Sequence, residues 1–355
     1  MKIIRIWKSD TMFENAVKQK NFIQCSKDFS SRKADLHIAF GISADFTYPV
    51  GILMTSLLEN NAKLKIAFHV FADNKISHEE YEKYRRLAKK YNTCITFYEI
   101  DNSVFAGLDD REFTIAAYYR FIIPHQLKDE ASCFLYLDAD ITCLNVLTPF
   151  LDIDLTDFAA CAVEDFSLDG TGNPILVQKK DERYFNSGMM YINIHKWLDE
   201  KISEKCMELL REVNEKPEAK KKYGYEFRCF DQDALNIILK NKVKYLQPHY
   251  NFLTNISLKK NEKLRKIPEN VILLHYHGFN KPWHEWCFHP LAGYFRKYWK
   301  MSPWADTSLV KNPVKYRQMR LYARYFFKKK ELFTAGYWLL KSISKKYCKG
   351  KRKDK

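Results

Sequence analysis

A chain of 355 residues with 46% hydrophobic content carries enough apolar material for a sizeable core, as one large domain or two ordinary ones, which excludes a disordered or fibrous protein. The net charge of +16 is unevenly spread: Arg296 to Lys355 holds 19 Lys/Arg against three acids, a local +16, so residues 1–295 are balanced. No run of about 20 apolar residues occurs and Met1 to Lys20 mixes charged and apolar residues, so neither a membrane span nor a secretory signal is read. The nine cysteines, without a Cys-x-x-Cys pair, fit reduced thiols in a cytosolic protein.

Residues 1–34 read as a poorly patterned polar arm, and residues 35–290 as the catalytic domain. Leu36 to Ile42 is a buried strand, Tyr48 to Leu58 has helical spacing and Ile66 to Phe71 is again a strand. Ser77-His78-Glu79-Glu80 resembles a capping box opening a charged helix through Lys90, after which Ile95 to Ile100 returns to strand. This βαβαβ rhythm predicts an α/β fold with a parallel sheet and crossover helices, whose ligands bind beyond the carboxyl ends of the strands. Further strands are expected at Phe158 to Val163, Met189 to Ile194 and Val271 to Leu274. Between them lie one amphipathic helix from Lys196 to Val213, a polar loop from Glu215 to Tyr225 and a helix from Asp231 to Leu239, whose acidic first turn suits the macrodipole.

The most telling segment is Phe134-Leu135-Tyr136-Leu137-Asp138-Ala139-Asp140, an apolar run opening onto two carboxylates. Side chains alternate along a strand, so Asp138 and Asp140 are expected on one side, with Ala139 leaving the backbone accessible. Paired carboxylates suit Mn²⁺ or Mg²⁺, and Mg²⁺ is commonly held by one or two carboxylates plus substrate phosphates, which points to a nucleoside diphosphate. After the last core strand comes His275-Tyr276-His277-Gly278-Phe279-Asn280-Lys281-Pro282-Trp283. Its imidazole can add a nitrogen ligand, Gly278 admits a phosphate to the backbone and Lys281 can neutralise pyrophosphate.

Together, the Asp-x-Asp strand end and the later His-x-x-Gly-x-x-Lys-Pro-Trp segment resemble glycosyltransferase family 8, and within it the bacterial lipopolysaccharide core glucosyl- and galactosyltransferases. The resemblance runs from about Leu36 into the basic C-terminal region. It implies a GT-A fold, a Rossmann-like sheet binding a nucleotide sugar. It also implies a retaining, metal-dependent enzyme that moves glucose or galactose from a UDP-sugar to a lipid-anchored lipopolysaccharide core acceptor. By the same resemblance Asp138, Asp140 and His275 fall on metal ligands, and Gly278 and Lys281 on diphosphate contacts. Arg120 matches a donor-holding arginine, Asn186 belongs to an Asn-small-Gly turn near the donor sugar, and Asp231-Gln232-Asp233 matches the acidic-amide triplet beside the anomeric carbon. Gly41, Ser43 and Asp45 lie in the exit loop of the first strand, with Ser43 standing where relatives commonly carry an acid; Asp45 and Ala139 complete the expected nucleotide contacts. Retention by double displacement would need a nucleophilic carboxylate, Asp231 or Asp233, whereas Gln232 can only orient or solvate the reacting carbon.

Two other readings compete. Leu137-Asp138-Ala139-Asp140-Ile141-Thr142 also satisfies the pattern of haloacid dehalogenase-type phosphatases, in which Asp138 would be the nucleophile. The tail, residues 291–355, reads as a basic, aromatic-rich helical extension, with Tyr316, Met319, Tyr322, Ala323, Phe326 and Phe327 at helical spacing among arginines. Such a module suits the anionic cytoplasmic face of the inner membrane better than a nucleic acid, for which no motif is present. The location expected is therefore cytoplasmic and peripheral on that membrane.

Overall fold

The computed structural model describes residues 12–23, 29–73, 76–108, 115–165, 183–215, 227, 229–256 and 266–350. The first strand, β1 (Val17–Ile23), pairs antiparallel with the later β4 and edges the main sheet, adding ordered structure to the segment read as an arm. Then follow β2 (Leu36–Ile42), α1 (Thr47–Asn60), β3 (Ile66–Ala72), α2 (His78–Tyr91) and β4 (Cys94–Ile100) in the expected alternation. Ser77 accepts the Glu80 amide, as an N-cap should. A 3₁₀ segment, Ile115–Phe121, and the short α3 (Ile123–Leu127) lead to β5 (Cys133–Leu137). The chain continues through β6 (Ile141–Cys143), α4 (Thr148–Leu151), β7 (Ala160–Glu164) and β8 (Phe185–Asn193).

Beyond β8 the single helix expected from Lys196 to Val213 is two, α5 (Ile194–Asp199) and α6 (Ile202–Glu215), broken at Lys201, whose φ of 52° is left-handed. Of the polar loop expected from Glu215 to Tyr225, Glu215 is the last residue of α6 and residues 216–225 lie outside the described residues. Then come α7 (Phe230–Ile238), β9 (Val243–Leu246), β10 (Phe252–Asn255) and β11 (Leu273–His277). Three C-terminal helices follow: α8 (Ala292–Met301), α9 (Tyr316–Lys328) and α10 (Leu332–Gly350).

The main sheet has the order β1-β4-β3-β2-β5-β8-β7-β9, and a second, three-stranded sheet the order β10-β11-β6. Strands β4, β3, β2 and β5 are parallel, and their nearly unbroken apolar runs are buried on both faces, as parallel strands require. The all-parallel expectation stops there, since β8 runs antiparallel to both β5 and β7. That reversal matters: the amino end of β8 lies beside the carboxyl end of β5. The direction in which successive strands are added reverses between β2 and β5, which is the switch point at whose carboxyl ends open α/β sheets bind their ligands. One face of the sheet packs on the Ile115–Phe121 segment, α3, α5, α6 and α7, the other on α1 and α2.

Residues 291–310, read as the start of an extension, are packed onto this body. Phe295 and Tyr298 of α8 are buried, and Trp304, 0% exposed, lies over Gly51 of α1 and donates to Glu80 at 2.9 Å. A Cβ at Gly51 would sit 2.2 Å from the Trp304 ring, so this close approach depends on the missing side chain. Helices α9 and α10 pair through Tyr322 and Trp338, and Tyr322 reaches the body at Trp286, ring centroids 5.1 Å apart.

Candidate active site

Asp138 and Asp140 do converge, but not by strand alternation. Strand β5 ends at Leu137, and Asp138-Ala139-Asp140 is the bend that carries the chain from the main sheet into β6 of the small one. The Asp138 amide still donates to the Gly188 carbonyl at 2.8 Å, which anchors the bend to β8. His275 lies inside β11 rather than after it, paired with Ile141, and the Tyr276 amide donates to the Asp140 carbonyl at 2.9 Å. The ladder thus sets the imidazole beside the second aspartate. Ligand atoms of Asp138, Asp140 and His275 all lie within 4.8 Å of one another.

Two observations test whether these residues fit a divalent cation. A Cβ added at Gly188 would come 2.5 Å from His275 Cε1 and 2.6 Å from Asp138 Oδ2, so glycine keeps open the space that two of the ligands border. The Asp140 carboxylate also already pairs with a cation, the Lys281 ammonium, which donates to the Tyr276 carbonyl at 2.7 Å as well, and His275 Nε2 lies 3.2 Å from the same carboxylate. Burial alone would favour the protonated acid, yet the Lys281 ammonium holds the Asp140 carboxyl well below the usual carboxylate range. Two carboxylates and one imidazole form a donor set suited to Mn²⁺ or Mg²⁺.

Arg120 is the hub of the neighbouring cluster. It is 4% exposed, on the Ile115–Phe121 segment, which approaches β2 closely because Gly41 has no side chain; a Cβ there would lie 3.0 Å from the Ala116 carbonyl. The guanidinium donates to Tyr136 OH at 3.0 Å and to Ser187 Oγ at 2.7 Å, and pairs with Asp138 at 3.1 Å and Asp231 at 3.2 Å. Burial pushes the Asp231 carboxyl up to about 6 against the pull of Arg120, with Asp138 adding to the rise.

The segment expected as an Asn-small-Gly turn is part of β8. Ala162 of β7 pairs with Met190 but Val163 with Asn186, so the ladder skips residues 187–189 and Ser187 and Gly188 bulge toward the site. Asn186 Nδ2 donates to Asp165 at 3.1 Å, and Gln232 Oε1 accepts the Ser187 amide at 2.9 Å. Gln232 Nε2 donates to Asp165 at 3.2 Å and to Tyr184 OH at 3.1 Å. Asp233 is 0% exposed and accepts from Tyr184 OH at 2.6 Å and from the Cys229 amide at 2.8 Å.

The remaining predicted residues lie around this centre. Gly41, Ser43 and Asp45 follow one another at the carboxyl end of β2, next to that of β5. Ala139 is buried in the bend, and Gly278 has φ +90°, a conformation that only glycine adopts cheaply. Trp283 is buried, its ring edge-on to Phe46 at 6.0 Å, which ties the Lys281 loop to the loop of Asp45. Two other histidines of this region form structural bonds: His284 Nδ1 accepts the Lys281 amide at 3.0 Å, burial pushing its ring down to about 3, and His289 Nδ1 accepts the Leu291 amide at 3.2 Å.

Ser187 is the small residue of the expected Asn-small-Gly pattern, whereas Tyr136, Asp165, Tyr184 and Asn251 join the site without a role expected from the sequence. Asp165 had a legible signal, an acid directly after a strand; the others had none, being ordinary residues of apolar or polar runs. A second group of ligand-type residues, His37, His69 and Glu130, lies elsewhere. There the two rings are nearly coplanar at 14°, with centroids 5.3 Å and facing nitrogens 3.0 Å apart. The nitrogens point at each other, as in an N–H···N hydrogen bond, instead of converging on a common point.

Residues 37–287 match the sequence model of glycosyl transferase family 8, and residues 289–346 that of the family's C-terminal region. The chain belongs to glycosyl transferase family 8. It is 33% identical to the lipopolysaccharide 1,3-galactosyltransferase of Salmonella typhimurium over 311 residues, covering 84% of this chain and 88% of that protein. A lipopolysaccharide 1,2-glucosyltransferase of Escherichia coli is 31% identical over 310 residues, 84% and 89% of the two chains. Among solved structures, an active-site mutant of LgtC has a TM-score of 0.60 at 25% identity, with 79% of this chain and 99% of that chain covered. LgtC in complex with donor and acceptor sugar analogs gives 0.61 at 24%, with 80% and 99% covered. The fold is therefore GT-A, carrying a helical C-terminal region. Membership of this family removes the phosphatase reading of Asp138, and with it the reading of the chain as a binding module alone.

Proposed function

We propose that this family 8 enzyme transfers glucose or galactose from a UDP-sugar to a sugar of the lipopolysaccharide core, with retention at the anomeric carbon. The observation that carries the reading is the convergence of Asp138, Asp140 and His275 directly against the Arg120–Asp231–Gln232 cluster, because a metal-diphosphate site and a sugar-orienting site must be adjacent. Asp138, Asp140 and His275 would hold Mn²⁺ or Mg²⁺, which supplies Lewis-acid stabilisation of charge on the departing diphosphate. Lys281 and the Gly278 backbone bind that diphosphate, and Gly41, Ser43, Asp45 and Ala139 border the nucleoside at the crevice between β2 and β5.

Retention without an enzyme nucleophile fits the acids best. Asp233 is buried with both oxygens engaged, and Asp231 is ion-paired with Arg120 and drawn toward its neutral form. In a front-face substitution the bond from the anomeric carbon to the diphosphate oxygen breaks as the acceptor oxygen arrives on the same side. The acceptor proton then passes to the leaving oxygen. Asn186 and Gln232, locked by Asp165 and the Ser187 amide, orient the hexose. The acceptor is lipid-anchored, and the tail supports a peripheral position at the anionic cytoplasmic face of the inner membrane: Phe333 is 98% exposed, with Phe327, Leu332 and Leu340 also outward beside Lys341, Lys345 and Lys346. No helix among the described residues is long and apolar enough to cross a membrane.

The test is release of UDP from a panel of UDP-sugars with Mn²⁺, with and without truncated lipopolysaccharide core. Acceptor-dependent turnover of one UDP-hexose, nearly abolished in folded Asp138→Ala and Asp140→Ala variants, is expected. Full turnover of those variants in chelator would overturn the assignment.

A further inference from the structure

Asn251, 1% exposed just before β10, bridges the two halves of the site. Its side chain lies 3.2 Å from His275 Nδ1 and 3.1 Å from Asn186 Oδ1. The direction of each bond follows from a backbone group whose polarity is not in question. The Gly188 N–H, 3.1 Å from Asn186, can only donate, so the Asn186 atom facing it is the oxygen and the amide NH₂ faces Asp165 and Gln232. The Asn251 group that meets the same Asn186 oxygen must then be its NH₂. Its own oxygen is thereby turned to His275, where it can only accept. Nδ1 of the neutral ring must carry the proton, which leaves the Nε2 lone pair facing the Asp140 carboxylate across 3.2 Å, two acceptors that a cation held by both would satisfy.

We propose that Asn251 is a positioning residue that fixes His275 as the Nδ1–H tautomer and ties its ring, through Asn186, to the Gln232 amide. The proposal rests on the metal reading of Asp138, Asp140 and His275. A ligating histidine needs an acceptor on its other nitrogen, and loss of such a partner typically costs about 10- to 100-fold in metal affinity. Here the acceptor is a neutral amide whose orientation is dictated from β8. The same strand that presents Asn186 and Ser187 to the sugar site therefore sets the protonation pattern of the metal site, with Asn251 as the connection.

The test uses the full chain labelled with ¹⁵N-histidine, His275 being assigned by a His275→Gln variant, with Mn²⁺ binding measured separately by calorimetry. Expected are the Nδ1–H tautomer in the metal-free wild type, its loss in Asn251→Leu, and Mn²⁺ binding weakened about 10- to 100-fold in that variant. Asn251→Asp, which still accepts from Nδ1–H, should restore the tautomer. An Nε2–H ring in the wild type overturns the proposal, whatever the fold of the variants. So does an Asn251→Leu chain with unchanged tautomer and Mn²⁺ affinity. Failure of the metal reading looks different: Mn²⁺ affinity would be insensitive to Asp138→Ala while the tautomer still followed position 251.

Discussion

Gly188→Ala is a single methyl group aimed at the centre of the site. The position lies within β8 and its φ is not among the positive values, so alanine meets no backbone penalty there and the whole effect is contact. The new Cβ would stand 2.5 Å from His275 Cε1 and 2.6 Å from Asp138 Oδ2, against ordinary contact at 3.4–4 Å, so the ring and the carboxylate must each withdraw by roughly 1 Å. Neither moves freely: His275 is held by Asn251 and the β11 ladder, and Asp138 by Tyr136 OH at 2.9 Å and by Arg120. Overpacking of this kind costs about 1–3 kcal/mol of stability. A displacement of about 1 Å in a reacting constellation costs on the order of 100-fold in rate. Calorimetric Mn²⁺ titration, UDP release under saturating donor and thermal melting should therefore report a folded, mildly destabilised protein with weakened metal binding and about 100-fold slower transfer. Gly293→Ala, whose Cβ meets nothing within 4 Å, is the comparison and should behave as wild type. A Gly188→Ala enzyme that binds Mn²⁺ and turns over normally would refute the account of the cradle.

Asp231 gives a pH signature. Its carboxyl is raised to about 6, so between about pH 4 and 6 the native state keeps a proton that the unfolded chain has released, and stability falls as pH rises through that window. The loss is on the order of 3 kcal/mol, complete above the folded value and absent below the unfolded one. Urea titrations of the metal-free chain should show this slope flattened in Asp231→Asn; parallel curves for the two proteins would contradict it. At the tail, Phe333→Ser combined with Leu340→Ser removes two exposed apolar side chains, each worth up to ~1.5–3 kcal/mol if buried in lipid. Sedimentation with anionic vesicles should drop sharply and the remainder become salt-sensitive, whereas undiminished binding would dismiss the membrane-facing role of α10.

The alternation from Leu36 to Ile100 was legible because period and length there carry the signal: short, wholly apolar runs bounded by an N-cap serine and helical spacing. Asp138, Asp140, His275 and Lys281 were legible for a different reason, since their chemistry is unusual at a strand end and matches a family pattern. Other features left no local trace. Strand β1 lacks a clean apolar alternation because an edge strand buries little of its surface. The break at Lys201 depends on one left-handed residue inside an otherwise continuous amphipathic pattern. The antiparallel course of β8 is a pairing choice, and pairing partners are distant in sequence.

The order of apolar and polar residues was enough to specify an α/β sheet and to mark the acids and the imidazole that any cation would seek. Their convergence needed the third dimension. Asp138 and Asp140 meet because the chain bends from one sheet into another, and His275 joins them through a ladder to Ile141. The network behind them, Tyr136, Asp165, Ser187 and Asn251, consists of common residue types whose roles arise only from burial beside one another. A buried polar group must find a partner, and the partner is supplied by the fold, not by the neighbouring residue in the chain.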